Sequence, residues 1–250
     1  MPAPLTVVIP ALNEASQIAE CVRGLAWADE ILVADGGSID GTPERARAAG
    51  ARVLSGDWAT IAAQRNAAIA AARHEWVLAL DADERVTPEL AREITEVVAA
   101  PVHDAYAARR RNVYLGRTIT HAGWGSDWVV RVFKRTSRFV ERRVHEALER
   151  QRDVGRLHAP LEHVPYRDIT HHLEKLDRYT AWAARDLADR GRRAHVTDLV
   201  LRPPARFFRM YVLQLGLLDG WHGALLCGFA SLSVFLKYAR LWELQQRIDA

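Results

Sequence analysis

The first hundred residues alternate between short apolar runs and segments with helical spacing. Each apolar run is rich in Val, Ile or Leu and ends in a polar turn, as buried parallel strands do. The runs are residues 5–9, 30–34 and 76–80, and the helical segments are 16–25, 43–49 and 60–72, with Thr42 before Pro43 as the expected N-cap. This order predicts an α/β domain with a mostly parallel central sheet and helices on both faces, whose ligand site lies beyond the carboxyl ends of the strands.

The pattern changes after about Pro101. Residues 105–109 and 129–133 look like strands joined by a Gly- and Trp-rich loop, so we expect mixed strand direction there. Residues 166–190 read as a polar helix, and Pro203-Pro204 marks the start of a hydrophobic tail. We therefore expect a catalytic domain over 1–165 and a C-terminal helical extension over 166–250.

The charge is unevenly distributed along the chain. Residues 1–104 hold 8 Lys and Arg against 16 Asp and Glu, whereas residues 105–250 hold 26 against 15. A basic C-terminal half indicates an anionic partner, which could be nucleic acid, a phosphorylated acceptor or an acidic lipid surface. Cys21 and Cys227 have no CxxC spacing, and the N-terminus has no basic segment typical of a signal peptide, so we expect a cytoplasmic protein.

The hydrophobic tail, residues 211–236, is interrupted by Gln214, Asp219 and His222. Its clean stretch, 223–236, has 14 residues, which is short of the roughly 20 that a spanning helix needs. Flanking cations and aromatic rings suit helices that lie in a membrane interface, at the inner face of the cytoplasmic membrane. The alternative is a helical hairpin packed on the sheet.

An acidic segment, Asp81-Ala82-Asp83-Glu84, follows the third apolar run. An extended backbone would turn Asp81 and Asp83 toward one side, where two carboxylates can hold one Mg²⁺ or Mn²⁺ and leave coordination positions open. A diphosphate and water can fill those positions, and the metal then neutralises charge on a leaving diphosphate. The alternative is that these acids only begin the next helix.

The second apolar run ends in Asp35-Gly36-Gly37-Ser38. Glycines allow close approach of a ligand, and Asp35 could accept hydrogen bonds from a ribose or a base. The alternative is a glycine-rich loop that has no role in ligand binding. The first run leads into Pro10 to Glu14 without a GxGxxG pattern, which argues against a nicotinamide dehydrogenase.

Together these segments resemble the ordered motifs of the family 2 inverting glycosyltransferases of GT-A fold. The motifs are Val8-Ile-Pro-Ala-Leu-Asn-Glu14, Asp35-Gly-Gly-Ser38, Gln64-Arg-Asn66 and Asp81-Ala-Asp83. Further along, Asp127-Trp-Val-Val-Arg-Val-Phe-Lys-Arg135, Val144-His-Glu146 and the C-terminal tail resemble the branch that glycosylates the lipopolysaccharide inner core.

The resemblance implies roles for individual residues. Asp83 would be the main metal ligand, with Asp81 near both ribose and metal. The implied donor-site residues are Pro10, Asn13, Glu14, Asp35, Ser38, Gln64, Arg65, Asn66, Asp81 and Ala82. Gln64, Arg65 and Asn66 could equally be ordinary helix surface.

Inverting transfer also needs a general base for the acceptor hydroxyl. Asp127 and Glu146 are the candidates, with Glu146 slightly favoured, although Glu146 could instead pair with Arg142 or Arg143. Arg131, Arg135 and His145 are candidates for the acceptor side. The spacing of His158, His163, His171 and His172 matches no helical zinc pair.

The sequence therefore predicts an inverting transferase that moves a hexose, with glucose as the first candidate, from a UDP-sugar to a lipid-linked saccharide of the lipopolysaccharide core. A polyprenyl phosphate or an exopolysaccharide is the alternative acceptor. A basic nucleic-acid or membrane binding module without catalysis is the alternative of another class. We expect no nucleic-acid partner.

Overall fold

The computed structural model describes residues 3–125, 127–140, 147–149 and 151–248. The strands are β1 (Leu5–Ala11), β2 (Glu30–Asp35), β3 (Arg52–Ser55), β4 (Trp76–Ala79), β5 (Glu84–Val86), β6 (Ala105–Tyr114), β7 (Arg117–Thr118), β8 (Trp128–Lys134), β9 (Phe139–Val140), β10 (Ala147–Leu148), β11 (Val154–Arg156) and β12 (Leu161–Tyr166). The helices are α1 (Ile18–Arg23), α2 (Thr42–Ala48), α3 (Ile61–Ala71), α4 (Pro88–Ala99), α5 (Ile169–Asp189), α6 (Val196–Val200), α7 (Arg202–Phe208) and α8 (Gly220–Ile248).

The central sheet has a parallel half and a half of mixed, mainly antiparallel, strand direction. Its strand order is β3-β2-β1-β4-β8-β6-β12-β5. Strands β1 to β4 pair in parallel, whereas β8 pairs antiparallel with both β4 and β6. Parallel pairing brings the carboxyl ends of β1, β2 and β4 to one edge, as the alternating pattern predicts.

Helices cover both faces of the parallel half. On one face, α1, α2 and α4 pack against Val7, Ile9 and Leu78 in a continuous apolar core. On the other face, α3 packs against Val8 and Val77. This two-sided burial explains why the strands are apolar throughout.

One predicted helix cap is wrong. Gly41 is the N-cap of α2, with a positive φ of 86°, and Thr42 is already the first helical residue. The Thr42 hydroxyl accepts a hydrogen bond from the Glu14 backbone N–H at 2.8 Å. Because this hydroxyl accepts from the turn after β1, it connects that turn to the start of α2 and does not cap its own helix.

The chain divides into two compact units. The first unit contains 1–111 and 128–163, and the second contains 112–127 and 164–250. The second unit has its own apolar clusters, one around Tyr114 and Met210 and the other around Tyr238 and Leu241. The loop 112–127 thus groups with the C-terminal helices.

The long helix α8 belongs to the second unit. Among the described residues, the segment Gly216–Arg247 is the one helical stretch long and apolar enough to cross a membrane, and 22% of its most apolar window is buried. Core helices of soluble proteins can have the same length and composition. Within its unit, α8 packs along α5 and α7.

Candidate active site

Asp35, at the carboxyl end of β2, is buried with one carboxylate oxygen unpaired. Its Oδ2 accepts hydrogen bonds from the backbone N–H groups of Gly37 and Ser38, each at 3.2 Å. Its Oδ1 is buried and has no hydrogen-bond partner among the described residues. A buried carboxylate oxygen without a donor is costly to keep, so this atom is suited to receive an N–H or O–H of a ligand.

The turn after β1 lies beside this loop. Asn13 has a positive φ of 58°, and its backbone N–H donates to Ser38 Oγ at 2.8 Å. In return, the backbone N–H of Ile39 donates to Asn13 Oδ1 at 3.0 Å. Pro10 pairs in register with Ala34, next to Asp35. The structure therefore brings Pro10, Asn13, Asp35 and Ser38 together.

The α3 motif supports the site from one side. The Gln64 amide donates to the carbonyls of Ala11 and Ala34, at 3.0 and 2.7 Å, and so joins the ends of β1 and β2. Asn66 exchanges two hydrogen bonds with the backbone of Phe139. Because Gln64 and Arg65 are less than a tenth exposed, this stretch of α3 is not ordinary helix surface.

Asp81 is the centre of a cluster of arginines. Its Oδ1 accepts from Arg65, and its Oδ2 accepts from Arg131 at 2.5 Å and from Arg110 at 3.1 Å. Glu84, which is fully buried, binds Arg110 and Arg131, each at 2.7 Å. We call Asp81, Glu84, Arg65, Arg110 and Arg131 the ion-pair cluster; it holds three cations and two anions.

The arginines determine the charge state of this cluster. Burial alone would raise the pKa of Asp81, but Arg131, Arg65 and Arg110 outweigh it and hold that pKa far below its usual range. Burial alone would lower the pKa of Arg131, but the charges of Asp81 and Glu84 outweigh burial and raise that pKa. The cluster therefore keeps a formal excess of one positive charge, which favours an anionic ligand nearby.

Asp81 and Asp83 do not share one extended backbone. A turn covers residues 81–84, closed by a hydrogen bond from the Glu84 N–H to the Asp81 carbonyl at 3.0 Å. A second hydrogen bond, from the Asp81 backbone N–H to the Glu84 side-chain Oε2 at 2.9 Å, folds the acidic segment onto itself. This turn separates the two aspartates: Asp81 faces the arginines, whereas Asp83 lies near His163.

Asp83 and His163 form the part of the site that fits a divalent cation. His163 Nε2 lies 3.7 Å from Asp83 Oδ1. Burial lowers the pKa of His163, and this effect is larger than the opposite effect of the Asp83 charge. The ring is therefore neutral at neutral pH and can coordinate a metal. A carboxylate and a neutral imidazole this close together would be able to ligate one divalent cation.

This pair alone does not complete a metal site. Among the described residues, no group of three or more His, Cys, Asp or Glu side chains is placed to hold an ion. Both Asp81 oxygens already accept from guanidinium groups, so Asp81 does not fit as a ligand. The residues therefore fit a cation that takes its remaining ligands from a diphosphate and from water.

The other predicted residues are distributed more widely. Ala82 is buried in the 81–84 turn. Arg135 donates its backbone N–H to the Glu75 carbonyl, just before the amino end of β4, and its side chain donates to the Ala72 carbonyl, each at 2.7 Å. It is therefore far from the carboxyl ends of the strands. Asp127 belongs to the second unit. Glu146 and His145 lie outside the described residues.

Glu84, Arg110 and His163 are site residues to which the sequence analysis gave no donor-side role. Glu84 stands next to Asp83 in the same acidic segment, so its position alone could have suggested it. Arg110 and His163 come from β6 and β12, and no local pattern connects them with β4. Arg131, expected at the acceptor, is buried in the ion-pair cluster.

The chain is similar to known glycosyltransferases. The family model described as "Glycosyl transferase family 2" matches residues 6–151. The lipopolysaccharide core biosynthesis glycosyltransferase LpsC of Rhizobium meliloti is 27% identical over 217 residues, which cover 83% of this chain and 80% of that protein. An uncharacterized glycosyltransferase of Rickettsia felis is 24% identical over 96% of this chain and 89% of that protein.

Among solved structures, glucosyl-3-phosphoglycerate synthase from Mycobacterium tuberculosis, in complex with Mn²⁺, UDP and glucosyl-3-phosphoglycerate, is 24% identical. The match covers 44% of this chain and 44% of that one, with a TM-score of 0.39. This chain thus matches less than half the length of that structure. Because the family model covers more than half of the chain, from β1 to just beyond β10, the protein belongs to family 2 of the glycosyltransferases and has the GT-A fold.

Proposed function

We propose that this enzyme transfers a hexose, with inversion, from a UDP-sugar to a lipid-linked saccharide of the lipopolysaccharide core. The observation that carries the donor half is the unpaired, buried Oδ1 of Asp35. Uracil offers an N–H and ribose offers hydroxyl groups, and either can satisfy this oxygen. Asn13 and Ser38 hold the adjacent loops in place around it.

The diphosphate binds beyond the end of β4. The excess positive charge of the ion-pair cluster attracts it. Asp83 and His163 would hold a Mg²⁺ or Mn²⁺ ion, and Asp81 fixes the arginines. When bound, the cation neutralises charge on the leaving diphosphate. Arg65, Arg110 and Arg131 add preorganised positive charge to the same group.

Inverting transfer needs a carboxylate that removes the proton from the acceptor hydroxyl as it attacks. Asp127 and Glu146 are the two candidates. Asp127 is in the loop of the second unit that precedes β8, and Glu146 lies outside the described residues. Loss of activity in Asp127→Asn, with donor binding retained, would assign the role to Asp127.

The acceptor half rests on similarity to LpsC, whose name places it in lipopolysaccharide core biosynthesis. It is supported by the second unit, which exposes large apolar side chains such as Trp221 at 84% and Leu213 at 67%. Together with nearby arginines, these side chains suit peripheral contact with the inner face of the cytoplasmic membrane. A polyprenyl phosphate or an exopolysaccharide chain is the alternative acceptor.

The test is a transfer assay with a panel of UDP-hexoses and both acceptor classes, in Mn²⁺, in Mg²⁺ and in excess chelator. We expect metal-dependent UDP release and a product of inverted anomeric configuration by NMR. Asp83→Asn should abolish activity, whereas Asp104→Asn, an exposed aspartate of the same unit, should not. Full activity in chelator or in Asp83→Asn would refute the metal site. Transfer only to polyprenyl phosphate would show that this compound, and not the lipopolysaccharide core, is the acceptor.

A further inference from the structure

Asp219 is a buried carboxylate that the proposed chemistry does not use. It is 4% exposed and lies between two chain segments of the second unit. Its Oδ2 accepts from the backbone N–H of His121 at 2.9 Å, and its Oδ1 lies 3.2 Å from Thr120 N, Thr120 Oγ1 and His121 Nδ1. Burial would raise its pKa, but the hydrogen bonds from His121 and Thr120 lower it, so the group is charged at neutral pH.

Asp219 joins two segments that we define here. The loop is residues 115–125, and the candidate base Asp127 follows it closely in the sequence. The corner is residues 212–221, where the chain turns from the irregular helical segment Arg209–Leu213 into α8. A second bond joins the segments, from the Ala122 backbone N–H to the Gln214 carbonyl at 2.8 Å.

Both segments contain strained backbone conformations, which the hydrogen bonds between the loop and the corner help to stabilise. Ala122 and Leu215 have φ values of 56° and 57°, a left-handed region that costs of order 1 kcal/mol or more for such residues. At Gly125, a Cβ atom would lie 1.9 Å from the Thr120 carbonyl oxygen, so no side chain fits there. The backbone around Thr120 and His121 is therefore tightly folded, and the Asp219 carboxylate is one of its main contacts.

The corner also exposes several large apolar side chains. Leu213, Leu215, Leu218 and Trp221 are 67%, 48%, 55% and 84% exposed. Arg209 is exposed in the preceding segment, and the Arg117 guanidinium lies near Gly220. Apolar side chains flanked by cations are complementary to an anionic lipid bilayer, where the chains enter the acyl boundary and the cations contact phosphates.

We infer that Asp219 is a positioning residue that couples lipid contact at the corner to the conformation of the loop that precedes Asp127. The inference rests on the proposed membrane contact. When lipid fixes the corner, Asp219 transmits that restraint to Thr120 and His121, and so orders the loop for a lipid-linked acceptor. Coupling of this kind is reciprocal: an ordered loop also favours lipid binding, by the same factor.

Hydrogen exchange measured with and without vesicles of phosphatidylethanolamine and phosphatidylglycerol tests the coupling. In the wild type, vesicles should slow exchange at the corner and also at the amides of residues 120–122, the latter by about tenfold, within the range usual for coupled sites. In Asp219→Asn the corner should still be protected, but the vesicle effect should disappear at the amides of Thr120 and His121, which donate to Asp219. The Ala122 amide, which donates to Gln214, should keep it. The affinity for vesicles should fall by the same factor.

Asp198→Asn is the matched control. Asp198 is also 4% exposed, lies in the same unit and binds the His195 backbone N–H and Arg202, but it does not contact the loop. If Asp219 only stabilises the unit, Asp219→Asn will speed exchange equally with and without vesicles and keep their ratio, which would overturn the inference. A ratio lost in Asp198→Asn as well would also overturn it.

The experiment distinguishes the membrane contact at the corner from the coupling through Asp219. Protection of the corner without any vesicle effect at residues 120–122 in the wild type leaves the membrane contact standing and refutes the coupling. No protection at the corner, with no binding to vesicles, refutes both. UDP-sugar hydrolysis measured in parallel reports on the donor site independently of either.

Discussion

At the scale of single residues, the ion-pair cluster is expensive to bury. Arg131 and Glu84 have side chains that are 6% and 0% exposed, and such groups lose several kcal/mol of hydration each. Replacing a buried ion pair with apolar residues often leaves stability unchanged or higher. The cluster is therefore better explained by the proposed function, in which it keeps three guanidinium groups fixed beside an anionic donor.

Removing one anion from this cluster should be costly. Glu84→Gln leaves Arg110 and Arg131 with less negative charge, so we expect the free energy of unfolding to fall by about 3 kcal/mol. Chemical denaturation measures this change. Glu162→Gln is the control, because Glu162 pairs with Arg111 at the surface and should contribute less than about 1 kcal/mol. Equal losses in the two variants would contradict the account of the cluster.

Asp35 offers a sharper test of donor recognition. In Asp35→Asn the side-chain oxygen can still accept from Gly37 and Ser38, but an NH₂ group replaces the unpaired Oδ1. That NH₂ opposes a ligand N–H, so UDP affinity should fall by about tenfold or more, as for a lost hydrogen bond to a charged group. Calorimetric titration with UDP measures it.

Asp40→Asn provides the control for this variant. Asp40 belongs to the same loop, and its oxygens already accept from Ala15 and Thr42. It should change stability more than UDP affinity. If Asp35→Asn binds UDP as the wild type does, Asp35 Oδ1 does not contact the nucleoside.

The sequence allowed the positions of Asp35 and Asp81 to be predicted because each follows a recognisable buried strand. Their partners could not be predicted in the same way. Arg65, Arg110 and Arg131 come from three elements, and only the pairing of β8 with β4 and β6 brings two of them to Asp81. The separation of Asp83 from Asp81 depends on a turn that two-residue spacing does not reveal.

At the scale of elements, apolar pattern and burial explain what was predictable. Strands β1, β2 and β4 are almost wholly buried and were found within two residues of their ends. Strand β3 was missed because it lies at the edge of the sheet, half-exposed, with Arg52 and Ser55 at its ends. Its sequence has no continuous apolar run to indicate a strand.

Helix α5 carries a buried histidine that makes stability depend on pH. His172 stacks on Tyr166 at 3.7 Å between ring centroids, and its Nδ1 lies 3.0 Å from the Tyr114 hydroxyl. Burial lowers the pKa of His172 to about 4, helped by the charges of His171 and Lys175. Between pH 6.5 and 4 the unfolded chain binds a proton at this residue and the folded chain does not.

The free energy of unfolding should therefore decrease as the pH falls through that window, by up to about 3 kcal/mol from this group. Carboxylates add their own decrease at the lower end, so the comparison with His172→Phe isolates the histidine. We expect the variant to show a shallower dependence of the denaturation midpoint on pH. Parallel curves for the two proteins would mean that His172 is not buried in its neutral form.

At the scale of the whole molecule, charge and apolar exposure divide along the chain. Acidic residues are in excess before residue 105, and basic residues are in excess after it. The cations therefore lie in the part of the sequence that also exposes Trp221 and Leu213. The sequence indicated an anionic partner from this asymmetry. Which apolar side chains are exposed could not be predicted, because exposure depends on how α5, α7 and α8 pack within the second unit.

Trp221 should be a main contact with lipid. Burying a large apolar side chain is worth about 1.5–3 kcal/mol, so Trp221→Ala should weaken binding to anionic vesicles by about tenfold or more. Val102→Ala, which alters a 77% exposed side chain of the first unit, should leave binding unchanged. Vesicle co-sedimentation at low and high salt measures both. Equal binding by the wild type and Trp221→Ala would place the lipid contact elsewhere.

In the proposed function, this family 2 glycosyltransferase binds UDP together with a divalent cation at Asp83, next to the arginines held by Asp81. Calorimetric titration of UDP into the wild type and Asp83→Asn, in Mn²⁺ and in chelator, tests it most directly. We predict that Mn²⁺ tightens UDP binding by about tenfold or more in the wild type and has no effect on Asp83→Asn. Equal UDP affinity with and without metal in the wild type, or an undiminished metal effect in Asp83→Asn, would contradict it.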